Sequence, residues 1–224
     1  VIAPLDWASI AFIAIAGYYM GADLVVNQMT WAFIDAKQVG FAERNRQWRF
    51  LLLCDQHPRI GLILFVALSL TIEIQQGLWP LSVDTLPLIW LGAAVWYFCI
   101  WMWYWAPQSK ADRILTTLDL YWRYLFSFGI AGLSLISLFG DGPMRETWQA
   151  VKWLLVSALV GGGLIIRYRI IDVFKLWPDY EKNGSTPAFE AKLGSALAQA
   201  SYVNWLLWAI FITMTLLTIV QPEF

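Results

Sequence analysis

The sequence predicts an all-α integral membrane bundle of about six transmembrane helices, with both termini on the non-cytoplasmic side. Three observations carry that prediction. The composition is too apolar for a soluble surface, six runs have spanning length, and the positive charge is distributed one-sidedly.

Of the 224 residues, 59% are hydrophobic and 14% are charged, with a mean hydropathy of +0.58. Soluble domains carry roughly 25% charged residues, so this chain lacks the polar surface to wrap a water-soluble core. The 15 Trp and nine Tyr fit the same conclusion, because such rings favour the membrane–water interface. A net charge of −1 implies no nucleic-acid partner. Cys54 and Cys99 form no disulfide framework and are expected as free thiols. The opening VIAPLD has no positive n-region, and its apolar run exceeds an h-region, so no cleavable signal is expected. Residues 1–224 are read as one transmembrane domain.

A spanning helix needs about 20 mostly apolar residues. Six segments qualify, at about 7–34, 59–79, 86–105, 118–139, 150–166 and 202–220. Their breaks have local reasons. Pro80 ends the second span, because proline lacks an N–H and clashes with the preceding turn. Pro58 fits the first turn of that span, where a missing N–H costs nothing. Gly140, Asp141, Gly142 and Pro143 form a turn between spans four and five. Near the end of the chain, Thr186 reads as an N-cap with Pro187 at the first helical position, so the last helix begins outside the bilayer and runs on into span six.

Orientation follows from the basic residues. Lys37, Arg44, Arg46, Arg49 and Arg59 lie between spans one and two. Lys110, Arg113 and Arg123 lie between spans three and four or near the start of span four. Arg167, Arg169, Lys175, Lys182 and Lys192 lie between spans five and six. Of the 15 Lys and Arg, only Arg145 and Lys152 fall on the other side. The positive-inside rule places the three basic connections in the cytoplasm, and a bacterial cytoplasmic membrane is the expected location. Residues 41–55 mix Arg with Trp and Leu. They fit either a surface helix on anionic lipid or a solvated extension of span one. Residues 167–177 read as an extension of span five into the headgroup region.

Ionisable residues inside a membrane are costly and mark either function or a buried pairing. Asp23 lies in the cytoplasmic half of span one, with Tyr19 and Asn27 four residues to either side on the same helical face. Glu73 sits in the outer half of span two, followed by Gln75 and Gln76. Tyr19, Asp23, Asn27, Glu73 and Gln76 are therefore candidates for a ligand or ion pocket or path. The competing reading is a hydrogen-bonded cluster that fixes helix packing. Asp119 and Arg123 read as a structural i,i+4 pair.

Metal and cofactor candidates are sparse. His57 is the only histidine, which excludes a bis-histidine haem within one chain and a three-His zinc site. It lies three residues from Cys54. Cys99 and Met102 are also three apart, and thiol plus thioether suits Cu(I). The competing reading for both is ordinary membrane core. Trp96, Trp101 and Trp103 belong to a dense aromatic end of span three, where a porphyrin- or quinone-like ligand could lie flat or an interfacial belt could simply stand. Gly129, Gly132 and Gly161 to Gly163 allow close helix approach. No Ser-His-Asp arrangement and no phosphate loop is present.

Trp7 opens span one, with Tyr19-Met20-Gly21-Ala22 further on. Arg59-Ile60-Gly61-Leu62 opens span two and Gly77-Leu78-Trp79-Pro80 closes it. Lys152 precedes Trp153-Leu154-Leu155 at the start of span five, which ends at Ile166-Arg167. Gln221-Pro222 follows the last span. This order, over perhaps half of the chain, resembles the copper-resistance-D and protoporphyrinogen-oxidase-like membrane superfamily. The resemblance implies a helical bundle and, at most, copper handling or porphyrin chemistry. Phe12 stands about where relatives often carry a histidine, so no functional residue carries over. Three classes remain open: a binder or transporter of a small ligand or ion, an accessory subunit of a larger membrane complex or homo-oligomer, and a cofactor-dependent redox enzyme. The enzyme reading is the weakest, for want of ligands and bases. The lipid bilayer is a partner in every case.

Overall fold

The computed structural model describes residues 4–37, 39–105 and 110–222. It is a bundle of long helices: α1 (Pro4–Asp35), α2 (Phe41–Cys54), α3 (Gln56–Gln75), α4 (Leu86–Trp105), α5 (Lys110–Phe139), α6 (Thr147–Asn183) and α7 (Pro187–Val220), with a short 3₁₀ turn at Val83–Thr85 before α4. Among the described residues there is no strand. Six segments are long and apolar enough to cross a membrane, one of them made of α2 and α3 together and the others of α1, α4, α5, α6 and α7. The chain is therefore a polytopic integral membrane protein.

The spans close a ring. α1 packs on α3, α3 on α4, α4 on α5, α5 on α6, α6 on α7, and α7 back on α1. The ring is not even. The apolar window of the α3 segment is 72% buried, against 11% to 33% for the others, so α3 is the hub and its neighbours turn apolar faces outward. Without a hydrophobic drive between helices in lipid, small residues and polar contacts hold such a bundle. Gly61 illustrates the first: a Cβ there would stand 3.0 Å from Tyr19 Cβ and 3.1 Å from its Cα. For the second, the Ser127 and Ser157 hydroxyls donate to each other's backbone carbonyls at 2.9 and 2.8 Å, joining α5 to α6.

Helix lengths explain a second core. A hydrocarbon layer is about 30 Å thick, and α6, with 37 residues, is about 55 Å long at 1.5 Å per residue. The excess of α6 and α7 projects at the end where α1 finishes and α7 begins, here termed the basic end. There α2 turns in and buries Arg44, Trp48 and Leu51 in a cluster with Phe33, Val173, Tyr180, Phe189, Leu193 and Leu197. So α2 is a packed cap, neither a bare extension of span one nor a helix resting only on lipid. The long, continuous α6 carries residues 167–177 as the expected extension.

Caps and breaks follow the chemistry of the chain. Thr186 Oγ1 accepts from Phe189 N at 3.2 Å, with Pro187 starting α7. The second span differs from its expected end. α3 stops at Gln75, short of Pro80, because Gly77 takes a left-handed φ of +71° and Leu78 N turns back to the Glu73 carbonyl at 2.9 Å. That is a glycine C-cap, and it swings Trp79 back into the bundle.

Candidate functional site

Asp23 sits on the basic-end half of α1 and is 6% exposed. One carboxylate oxygen accepts from Trp208 Nε1 of α7 at 2.5 Å, and the Asn204 amide lies beside it. Asn27 and Thr30 continue the same face, as the spacing of four and three residues requires. This face borders a cavity of about 70 Å³. α2 closes it with Trp48 and Leu51, α6 with Ile166 and Ile170, α7 with Ser201 and Asn204, and Asp55 stands at the α2–α3 junction.

The hydrogen bonding of this wall is incomplete. Thr30 Oγ1 is spent on the Val26 carbonyl at 2.8 Å. Asn27 and Ser201, each 3% exposed, line the same cavity. The indole N–H of Trp48 is buried without an acceptor. Buried polar groups are almost always satisfied by protein or by ordered water, so a cavity lined by Asp23, Asn27, Ser201 and Asn204 marks a place where water or a small solute completes the shell.

A second polar cluster lies at the level of this cavity, between α4, α5 and α6. Asp119 accepts from Arg123 Nε at 3.0 Å, from Arg167 Nη1 at 2.6 Å and from Trp96 Nε1 at 2.9 Å. Arg123 also lies over the Trp96 ring at 5.7 Å. Two cations on one carboxylate, with an indole N–H added, form a closed structural lock. The expected Asp119–Arg123 pair is present, and Arg167 and Trp96 join it.

The third cluster is at the opposite end. Glu73 is fully buried, its Oε1 against the Lys152 ammonium. Its Oε2 accepts from Trp79 Nε1 at 2.8 Å, Trp153 Nε1 at 2.8 Å and Gln149 Nε2 at 2.9 Å. Lys152 Nζ also donates to Ser69 Oγ at 2.7 Å. One oxygen of Glu73 faces the ammonium and the other takes three N–H donors, so this cluster clamps α3 to α6 and to the loop after α3. Glu73 does not share the Asp23 face. Counting about 1.5 Å per residue from the Gly61–Tyr19 contact, the two carboxylates stand roughly 24 Å apart along the bundle.

No family model matches the chain, and no curated protein or solved structure matches it. The site must therefore be read from its own geometry.

The remaining candidates are dispersed. Tyr19 is in the core, its ring 4.2 Å from that of Phe211. Gln76 is at the exposed opposite end, accepting from Gln221 Nε2 at 3.2 Å. Trp96 is committed to Asp119. Trp101 packs on Tyr97, Tyr104 and Trp105 of its own helix, so Trp96 and Trp101 serve different neighbours. The side chain of Trp103 lies outside the described residues. His57 Nδ1 is bonded to Tyr18 OH at 2.7 Å. Cys99 and Met102 are half-buried on α4, and among the described residues no three His, Cys, Asp or Glu side chains gather as a metal site.

Lys152, Gln149, Trp153, Trp79 and Ser69 were not linked to Glu73 from the sequence, nor were Trp48, Ser201, Asn204 and Trp208 linked to Asp23. One signal was available for the first group. Glu73 and Lys152 are the charges set into the far ends of spans two and five, of opposite sign and at similar depth.

Proposed function

We propose that this protein binds and moves a small cation through the basic-end half of the bundle, with the Asp23 cavity as its site and the basic end facing the cytoplasm. The supporting observation is the buried carboxylate of Asp23 on a cavity whose wall also carries Asn27, Ser201 and Asn204, with the Trp48 indole N–H buried beside it without an acceptor. An intramembrane carboxylate is costly and is ordinarily kept for pairing or for an ion pathway. The carboxylates of the other two clusters are paired with Lys or Arg. Asp23 accepts from neutral N–H donors, and no Lys or Arg of the described residues pairs with it. The volume fits the same reading. About 70 Å³ holds a few waters or a small ion, whereas pockets for ring-sized ligands run from about 300 Å³ upward.

Trp48 and Trp208 supply a built-in reporter. In purified protein, their emission should respond to a titration with at least one of acid, Na⁺ or K⁺, and the response should vanish in Asp23→Asn while the melting temperature stays near that of the parent. No response to any of them, or a response that survives Asp23→Asn, overturns the reading.

A further inference from the structure

We infer that the cation at the Asp23 cavity is a proton carried by a small water cluster and delivered past Asp55 from the basic end. This rests on the cavity being a cation site at all. What singles out the proton is the chemistry of the wall. A hard metal ion is held by a shell of oxygens. Here the wall mixes acceptors with N–H donors. The Trp208 indole already points at the Asp23 carboxylate, the Trp48 indole N–H is buried and unspent, and Asn27 and Ser201 can each donate as well as accept. N–H groups oppose a bare metal ion but bond readily to water, which both donates and accepts. A cavity of about 70 Å³ exceeds the 10–15 Å³ that one water needs.

The charged groups around the cavity give the route a direction. Asp23 and Asp55 are its titratable lining residues. The lining residues Ile166 and Ile170 of α6 and Ser201 and Asn204 of α7 are uncharged, while Arg59 of α3 and Arg123 of α5 act on Asp55. Asp55 is one quarter exposed and paired with Arg59, so it is the carboxylate that solvent reaches first, with Asp23 buried behind it. On the far side, Tyr19, Phe65 and Phe211 stack at ring distances of 4.2 and 4.6 Å, with Phe12 packed on Phe65. These rings lie between Asp23 and the Glu73–Lys152 pair along the bundle, which leaves the basic end as the shorter way to the cavity. In the loading step a hydronium within the cluster gives up its proton. An O–H bond forms on the Asp23 carboxylate as an O–H bond of the hydronium breaks, and the hydronium becomes water.

The test is a pH jump on the full chain in phosphatidylcholine vesicles, followed by Trp emission in stopped flow and by the carboxyl C=O band in infrared difference spectra. The parent protein should load a proton at Asp23 and show both signals. Asp23→Asn should lose both. Asn27→Leu, which fills the cavity and keeps the carboxylate, should lose the emission change, and Asp55→Asn should slow it. A parent protein with neither signal overturns the inference whatever the variants do. So do signals that persist in a folded Asp23→Asn protein, or an emission change that persists in a folded Asn27→Leu protein. An Asp23-dependent response to sodium in place of acid overturns the proton assignment and leaves the cation site standing. Absence of any cation effect removes both.

Discussion

At the scale of single residues, the charged groups of this bundle differ in what they have left to give. Arg44 is fully buried and forks onto Glu190, Nη1 to Oε1 at 2.5 Å and Nη2 to Oε2 at 2.8 Å. Its guanidinium also lies 5.2 to 5.9 Å from the rings of Phe33, Tyr180 and Phe189. Removing one partner of a buried pair strands the other, at about 3–5 kcal/mol, so Arg44→Ala should lose stability on that scale. Arg44→Lys should keep the charge and lose the two-pronged geometry, giving an intermediate loss. Unfolding in mixed micelles would order the two variants, and equal losses would show that charge alone matters. The Glu73–Lys152 pair permits a sharper comparison. Lys152→Met leaves Glu73 buried with three N–H donors and no cation, again a cost of about 3–5 kcal/mol. Adding Glu73→Gln removes the stranded charge, so the double variant should be more stable than Lys152→Met alone. If the double variant is the less stable, the ion pair is not what couples the two sites.

At the scale of elements, the close approaches can be tested glycine by glycine. A Cβ at Gly61 would press on the Cα and Cβ of Tyr19, which cannot rotate away, so Gly61→Ala should force α1 and α3 apart. Overpacking of that kind costs about 1–3 kcal/mol. At Gly162 the obstruction is the end of the Leu207 side chain, 2.4 Å from the added carbon, and a rotamer change should relieve part of it. Gly21, Gly129 and Gly132 have nothing within 4 Å, and their alanine variants should melt with the parent. A melt series over these positions checks the order, and a destabilised Gly21→Ala would contradict it. The sequence made the glycine runs visible but not which of them touch a neighbour, because that depends on the rotation of each helix about its axis. The same limit applies elsewhere. Thr186 and Pro187 were legible because a cap is local. Pro80 was read as the stop of span two, whereas Gly77 ends the helix first. The Asp23–Asn27 face was legible from its spacing. Its partner Trp208 lies 185 positions away, and nothing in hydropathy distinguishes that Trp from those of an interfacial belt.

At the scale of the whole molecule, the structure strengthens the charge asymmetry behind the orientation. Of the two basic residues assigned to the side opposite the basic end, Lys152 is buried and neutralised by Glu73, which leaves Arg145 as the exposed basic side chain there among the described residues. The basic end presents Arg46 and Lys175 with exposed side chains, together with the packed cap formed by α2 and the projecting helices. The positive-inside rule favours translocating the side poorer in exposed basic residues, and moving the folded cap with its charges across the bilayer would be far harder than moving a short turn, so the basic end is predicted to face the cytoplasm. Asp141 and Glu181 are exposed at opposite ends and can report this directly. With Cys54 and Cys99 replaced by Ser, a membrane-impermeant maleimide applied to intact cells should label Asp141→Cys, and should label Glu181→Cys only after the membrane is opened. The reverse pattern would invert the bundle. The Asp23 cavity would then open away from the cytoplasm, and the direction assigned to the proton would be reversed with it.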